Sequence, residues 1–144
     1  MGWSLDYRRF RKYLEEKYDV SQAFIVMGYI ATNAALYTAL QSYGFVLIFK
    51  PTLQYKDGKV KGNCDADLVL NVMIRLQEFE KAVIVSGDGD FYCLVKYLHD
   101  QGKLRMILVP NEDDYSALLK PYANGLLAGV DVQRRKLEFM KRTP

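Results

Sequence analysis

Short apolar runs alternate with amphipathic segments along the whole sequence, and this alternation restricts the fold more than any other feature. Uninterrupted apolar stretches of this length suit strands that are buried on both faces of a sheet. Strands are predicted at 22–30, 45–51, 81–87 and 104–110. Helices are predicted at 5–18, 32–44, 65–79, 90–102, around 114–122 and around 131–141. Such an order is typical of an α/β sandwich with a mostly parallel sheet.

Composition excludes several classes of protein. The 144 residues are 50% hydrophobic and 13% aromatic, which predicts a single globular domain over 1–144. No apolar run approaches the roughly 20 residues that a membrane span needs, so no membrane partner is expected. Cys64 and Cys93 form no CxxC pair, and a cytoplasmic location is predicted. The net charge of +3 permits a nucleic-acid partner without arguing for one.

Two carboxylates follow the third predicted strand directly, in the stretch "VIVSGDGDF" at 83–91. Ligands of parallel sheets bind beyond the carboxyl ends of the strands, which is where Asp88 and Asp90 fall. Gly87 and Gly89 are expected to allow a tight turn with unusual backbone angles. Asp90 could equally cap the next helix. Asp88 has no such structural role in the sequence pattern, so it is predicted to bind a cation.

A second acidic pair, Asp65 and Asp67, begins the predicted helix 65–79. At about 100° per residue, Asp65 points the same way as the apolar stripe of that helix, whereas Asp67 lies about 200° away, beside Asn71. Asp65 is therefore the better inward-facing ligand. Asp67 suits a solvated first-turn acid favoured by the helix dipole. A plain N-cap role for Asp65 stays open.

Converging carboxylates favour a hard metal ion. Ionised carboxylates that share a site repel one another unless a cation lies between them. Mg²⁺ and Mn²⁺ prefer oxygen ligands, and they can activate water for phosphodiester hydrolysis. The single histidine, His99, lies in mid-helix with no partner motif, which argues against a histidine-based zinc site or a serine triad. In the polar stretch 53–62, Asp57-Gly58 predicts a turn or a small hairpin.

Two motifs in order, "KGNCDADLVL" at 61–70 and "VIVSGDGDFYCLVKYL" at 83–98, make the chain recognisable. With "GFVLIFKPT" before them and "VQRRKLE" after, the sequence resembles the NYN-domain branch of the PIN-like nucleases, in particular the LabA-like bacterial proteins. The resemblance implies a PIN-like three-layer α/β/α sandwich and a Mg²⁺- or Mn²⁺-dependent ribonuclease. By motif position it assigns catalysis to Asp65, Asp88 and Asp90, and metal binding to the same residues with Asp67. Candidates for substrate binding are Ser86, Lys61 and Asn71; many relatives have an aspartate at the last of these.

One element of the resembling family has no counterpart. Its members open with a central strand that ends in an aspartate and an asparagine, ahead of a segment like "GWSLDYRRF", whereas this sequence starts at that segment. The sheet of residues 1–144 is thus expected to lack its first strand and one acidic ligand. Either an upstream segment or another chain, such as a second copy in a homodimer, would supply that strand.

Competing functions stay open from sequence alone. The first is a ribonuclease acting on single-stranded RNA, and the second is a catalytically weak or inactive module of the same fold that binds RNA or protein. Aspartyl phosphotransfer is disfavoured because the Asp-x-Asp motif falls late in the chain and lacks the expected Thr or Val turn. Basic residues could contact phosphate, although charged helix faces are usually only solvated. These are Lys50, Lys59, Lys61, Arg8-Arg9-Arg11-Lys12 and Arg134-Arg135-Lys136.

Overall fold

Helices and strands alternate along the chain as the apolar runs predict. The structure, a computed structural model, describes residues 2–51, 53–54, 60–61 and 64–140. Its strands are β1 Ala23–Gly28, β2 Phe45–Lys50, β3 Leu53–Gln54, β4 Val60–Lys61, β5 Ala82–Val85, β6 Leu104–Val109 and β7 Leu127–Gly129. Its α-helices are α1 Tyr7–Tyr18, α2 Ala34–Ser42, α3 Asp65–Ile74, α4 Tyr92–Asp100 and α5 Arg134–Leu137.

The strands form two parallel ladders and one short hairpin. β1 pairs with β2, and β5, β6 and β7 pair in that order, always in parallel. β3 and β4 pair antiparallel, as expected for a hairpin, while the turn predicted at Asp57-Gly58 lies outside the described residues. The β5–β6 register shifts by one position, because Ala82 faces Leu104 but Val83 faces Met106. Arg105 is therefore the extra residue of a bulge in β6.

Two apolar clusters cover the two faces of these strands, which gives the three-layer α/β/α arrangement. On one face α1 crosses both ladders, since Tyr7 packs edge-on against Phe45 of β2 and Tyr18 lies under the guanidinium of Arg105 in β6. The first cluster contains Phe10, Leu14, Tyr18, Ala23, Leu40, Phe45, Leu108, Val130 and Leu137. On the other face α4 and α3 cover β5–β7 through Ile84, Leu94, Val95, Leu98, Ile107 and Val109, with Leu68, Val69 and Val72 half-buried.

α3 brings the carboxyl ends of both ladders to one edge. Its first turn reaches the end of β2, where the Lys50 ammonium lies 3.6 Å from the Asp67 carboxylate. The same turn carries Asp65, which lies beside Asp88 and Asp90 just beyond β5. Since parallel strands leave all their following loops at the same edge, this edge is the expected place for a ligand.

Three predicted elements differ from the structure. The helix predicted around 131–141 is confined to α5, because the backbone then turns away so that Glu138 bridges Leu5 and the Phe139 N–H donates to the Ser4 carbonyl at 2.8 Å. The segment around 114–122 is a 3₁₀ helix, Ala117–Tyr122, and the helix from Asp65 ends at Ile74. β7 was not predicted because its three residues are too few to show a periodicity.

None of the helices in the described residues is long and apolar enough to cross a lipid bilayer.

α1 illustrates why the helices begin and end where they do. The Asp6 carboxylate accepts the Arg9 backbone N–H at 3.1 Å and caps the first turn. The helix stops at Asp19, whose φ of 58° is left-handed.

Leu137→Ala should lower the free energy of unfolding by about 2–5 kcal/mol, because it empties a fully buried site where α5 packs against α1. Urea denaturation followed by circular dichroism measures the change. Leu118→Ala is the control, since Leu118 is 52% exposed and should lose little. Equal losses in both variants would contradict the position of α5 in the core.

Candidate metal centre

Three carboxylates from two separate elements converge at the carboxyl edge of the strands. One ligand oxygen from each of Asp65, Asp88 and Asp90 lies within 4.8 Å of the others. Asp65 is partly buried, and the other two are exposed. The donor set is made of hard oxygens only, and it therefore suits Mg²⁺ or Mn²⁺, which complete their coordination with water, better than it suits zinc.

The turn that carries Asp88 and Asp90 is fixed by its own side chains. The Asp90 backbone N–H donates to Oδ1 of Asp88 at 2.9 Å, and the Asp88 N–H donates to Oγ of Ser86 at 3.1 Å. Asp88 thus caps the 3₁₀ turn Gly89–Phe91, so the prediction that it has no structural role was wrong. Asp90 makes no such cap, because Phe91 takes the N-cap position of α4. The bond to Asp90 holds Asp88 in one orientation and leaves its second oxygen for a ligand.

The two glycines of this turn provide space and not unusual backbone angles. Among the described glycines only Gly44, Gly102 and Gly125 have positive φ, so the expectation for Gly87 and Gly89 was wrong. A Cβ on Gly89 would collide with Oγ of Ser116 and come within 3.1 Å of its Cβ. The requirement for glycine therefore comes from the close approach of the segment that follows β6.

α3 presents its two acids in different directions, as its helical angles predict. Asp65 is the first residue of the helix, after Cys64 in the N-cap position. Asp67 faces Lys50 and stays outside the group of converging carboxylates. Asn71 is held from both sides, because its Nδ2 donates to the Asp67 carbonyl at 2.8 Å and its Oδ1 accepts from Arg75 at 2.9 Å.

The electrostatics of the first turn disfavour a thiolate ligand. Burial, followed by the negative charge of Asp67, raises the pKa of the Cys64 thiol, which keeps it protonated.

A shallow groove of about 440 Å³ adjoins the cluster and is mainly apolar. It is lined by Asp65, Ala66, Val69, Leu70, Met73 and Asp90. The side chain of Lys61, a predicted phosphate contact, lies outside the described residues.

An aromatic group at the ends of β1 and β2 was missed by the sequence analysis. Tyr29, Tyr37 and Phe49 pack with ring centroids 4.8–5.8 Å apart. The hydroxyl of Tyr37 accepts the Ile30 N–H at 3.0 Å, while Tyr29 and Phe49 stay 47% and 38% exposed. The available signal was an aromatic residue at the carboxyl end of each of two neighbouring strands.

The basic clusters are used partly within the protein. Arg11 donates to the backbone carbonyls of Gly44, Val20 and Ser21, at 3.4, 3.3 and 3.1 Å. Arg134 pairs with Glu138 at 2.9 Å. A concavity of about 410 Å³ lies near the amino end of β2, opposite the acidic edge, and is lined by Arg8, Arg11, Lys12, Glu15, Ser42 and Tyr43.

Comparison with known proteins agrees with this geometry. The sequence profile of the NYN domain matches residues 1–125. The chain belongs to the NYN domain family. That family is part of the PIN-like nuclease superfamily, so the resemblance of the two motifs to the NYN branch is confirmed. The finer likeness to the LabA-like proteins stays a prediction. No curated protein matches the chain.

A solved structure supports the fold of this NYN domain. It is the crystal structure of a protein of unknown function from Vibrio parahaemolyticus, 24% identical to this chain, with a TM-score of 0.69. The match covers 90% of this chain and 80% of that one. The α/β sandwich predicted from the alternating pattern is therefore confirmed, as is the PIN-like α/β/α architecture that the resemblance implies.

Gly89→Ala should destabilise the fold by about 1–3 kcal/mol, because the added methyl forces Ser116 and its neighbours away from the acidic turn. Thermal unfolding of the two proteins measures the difference. Gly87→Ala is the matched control and should cost less, since its nearest contact would be 3.3 Å from Tyr115. A larger loss for Gly87→Ala would refute the packing argument.

Proposed function

We propose that this NYN domain is a divalent-metal-dependent ribonuclease that hydrolyses single-stranded RNA in the cytoplasm. The observation that carries the proposal is the convergence of Asp65, Asp88 and Asp90 within 4.8 Å at the carboxyl edge of the strands. Membership of the NYN family supports a nuclease, and the all-oxygen donor set supports Mg²⁺ or Mn²⁺ as the cofactor.

Each carboxylate has a distinct part in this proposal. Asp65, Asp88 and Asp90 would hold the ion, which supplies Lewis acidity and a bound water of lowered pKa. Asp88 arrives already oriented, since its Oδ1 accepts the Asp90 N–H. Ser86 accepts from Asp88 through Oγ, and its hydroxyl hydrogen can donate to a phosphate oxygen. Asp67 supports the site indirectly by holding Lys50 at the same edge.

The aromatic group makes single-stranded RNA the preferred substrate. Unpaired bases stack on exposed aromatic rings, whereas bases inside a duplex cannot reach them. Tyr29 and Phe49 present such rings at the carboxyl edge where the acids lie, and the same edge carries the ion pair of Lys50 with Asp67. RNA could therefore lie along this edge, with bases on the rings and a phosphate at the acids.

A second candidate function keeps the RNA site without turnover. The described residues bring only three carboxylates together, and Asp88 has one oxygen in use as a cap. An octahedral ion would then depend on water for several of its ligands. This favours weak metal binding and a regulatory module that binds RNA. Cleavage that requires Mn²⁺ separates the two functions.

Asp88→Asn should weaken Mn²⁺ binding by about tenfold or more, since even outer-shell changes cost about 10–100-fold. The amide keeps an oxygen that can cap the turn, so the fold should survive. Isothermal titration calorimetry measures the affinity, and gel analysis of a labelled single-stranded RNA measures Mn²⁺-dependent cleavage.

Asp114→Asn is the control for that experiment, because Asp114 is an exposed aspartate outside the cluster. It should bind Mn²⁺ and cleave as the parent chain does. Unchanged affinity in Asp88→Asn would remove Asp88 from the site. If the parent chain binds the metal but cleaves no RNA, the second function, a regulatory module without turnover, is the correct one.

Tyr29→Leu should weaken binding of a short fluorescein-labelled single-stranded RNA, by about 1–3 kcal/mol for each stacked base that is lost. Leucine keeps much of the apolar packing against Phe49 and removes the ring. Fluorescence anisotropy in Ca²⁺ buffer measures binding, and Tyr97→Leu is the control because Tyr97 is 40% exposed on α4. Equal effects of the two substitutions would contradict an aromatic platform at this edge.

A further inference from the structure

The two basic clusters of the sequence lie against each other in the fold. One runs from Arg8 to Lys12 in α1, and the other from Arg134 to Lys136 in α5, near the opposite end of the chain. Backbone bonds hold the two helices together, from the Asp6 N–H to the Leu137 carbonyl at 2.7 Å and from the Phe139 N–H to the Ser4 carbonyl at 2.8 Å. The surface formed by residues 6–18 and 134–138 is called the basic face below.

Positive charge is concentrated on the basic face. Its residues include eight of the 20 lysines and arginines of the chain, but four of the 17 acids. The basic face thus has a formal charge of +4, and all the remaining residues together have −1. The mild net charge of the whole chain therefore conceals one strongly positive surface. Such a surface attracts anions and raises their local concentration.

The ion pairs of the basic face leave much of this charge unmatched. Two of them are long, at 3.8 and 3.9 Å, and one is close, at 2.9 Å. Exposed pairs of this kind are worth little, so a bound anion can replace them. Arg8, Arg135 and Lys136 are exposed, and they form no ion pair with any residue in the described ranges. These three cations are accessible to a ligand.

A concavity on one flank of the basic face combines cations with an aromatic ring. It has a volume of about 410 Å³, and its lining includes Arg8, Lys12 and Tyr43. Tyr43 is 36% exposed. Arg11 lines the same concavity, and its bonds to three backbone carbonyls fix its position before a ligand arrives. Cations that hold phosphates, beside a ring that stacks with a base, are the means by which proteins bind single-stranded nucleic acids. An acidic polypeptide would use the cations alone.

We propose that the basic face is a second RNA-binding surface, which holds the phosphate backbone of a single strand at a distance from the acidic cluster. The choice of RNA as the anion rests on the proposed function, whereas the positive surface itself does not. Phosphate contacts carry no sequence information, so binding here is independent of sequence. A strand held at the basic face stays close to the acids, because tethering raises the effective concentration of its other segments.

The salt dependence of RNA binding tests this surface. A fluorescein-labelled oligouridine is titrated with protein in EDTA, which prevents metal-dependent cleavage, at a series of KCl concentrations, and anisotropy measures the affinity. The double variant Arg8→Gln with Lys136→Gln should bind more weakly than the parent chain. The slope of log affinity against log salt should become shallower by about 1.4, which is about 0.7 for each lost phosphate contact.

A matched double variant controls for net charge. Lys81→Gln with Lys120→Gln removes the same formal charge from two exposed lysines outside the basic face, and it should keep the slope of the parent chain. Circular dichroism checks that both double variants are folded. Hydrogen exchange locates the contact, and we expect the oligouridine to slow exchange within 7–18 and 134–138.

Three results would overturn the proposal. Equal changes of slope in the two double variants would reduce the effect to net charge. Slower exchange confined to the acidic edge, at 65–74 and 86–91, would place all RNA binding there. If polyglutamate displaces the oligouridine, and its own binding is lost in the Arg8 and Lys136 variant, the basic face would belong to an acidic protein.

Mn²⁺-dependent cleavage by the parent chain is measured separately, so the two proposals fail independently. Cleavage together with an unchanged slope would reject the basic face and keep the ribonuclease. A shallower slope in a chain that cleaves no RNA would reject the ribonuclease and keep the basic face.

Discussion

The packing of α1 against both ladders is the contact on which the rest of the structure depends. β1–β2 and β5–β7 share no hydrogen-bonded pairing in the described residues, so side-chain packing alone holds them in one layer on this face. Phe10, Leu14 and Tyr18 do this through a single apolar cluster that includes Ala23, Phe45 and Leu108. Because that layer is fixed, loops from both ladders open at one edge. The acidic turn and the aromatic group share this edge as a result.

The candidate site uses the same atoms for the fold and for its chemistry. Asp88 both caps a turn and belongs to the carboxylate cluster. At the end of α3, Arg75 donates a hydrogen bond to Asn71, and its guanidinium lies over the ring of Phe24 in β1. These contacts set the angle at which Asp65 reaches the cluster. A site built from such shared contacts is ordered before any ligand binds, and this ordering lowers the cost of binding.

The sequence predicted what depends on long, strongly apolar or strictly spaced patterns. The strands β1, β2, β5 and β6 are mainly apolar runs, with Arg105 inside β6 and Lys50 at the end of β2 as the charged residues. The angle of Asp65 on its helix follows from residue spacing. Other features depend on contacts between distant segments, and no local pattern carries them. Gly89 is required by Ser116, which lies far along the chain, and α5 ends early because residues 138–139 bond to 4–5. The capping bond of Asp88 depends on the conformation of the turn after β5, which the residue types alone do not specify.

The bulge at Arg105 has a consequence for how the central strand reaches its position. Every residue of β6 except Arg105 is apolar, so a slip of one residue would still place apolar side chains on both faces. Hydrophobicity alone therefore specifies the register weakly. The ladders with β5 and β7 hold it in place, together with backbone bonds from the Ala82 N–H to the Lys103 carbonyl at 2.7 Å and from the Ile107 N–H to the Leu126 carbonyl at 2.8 Å. The register of β6 therefore depends on backbone pairing more than on its apolar pattern, and substitutions that weaken that pairing should make β6 prone to slippage.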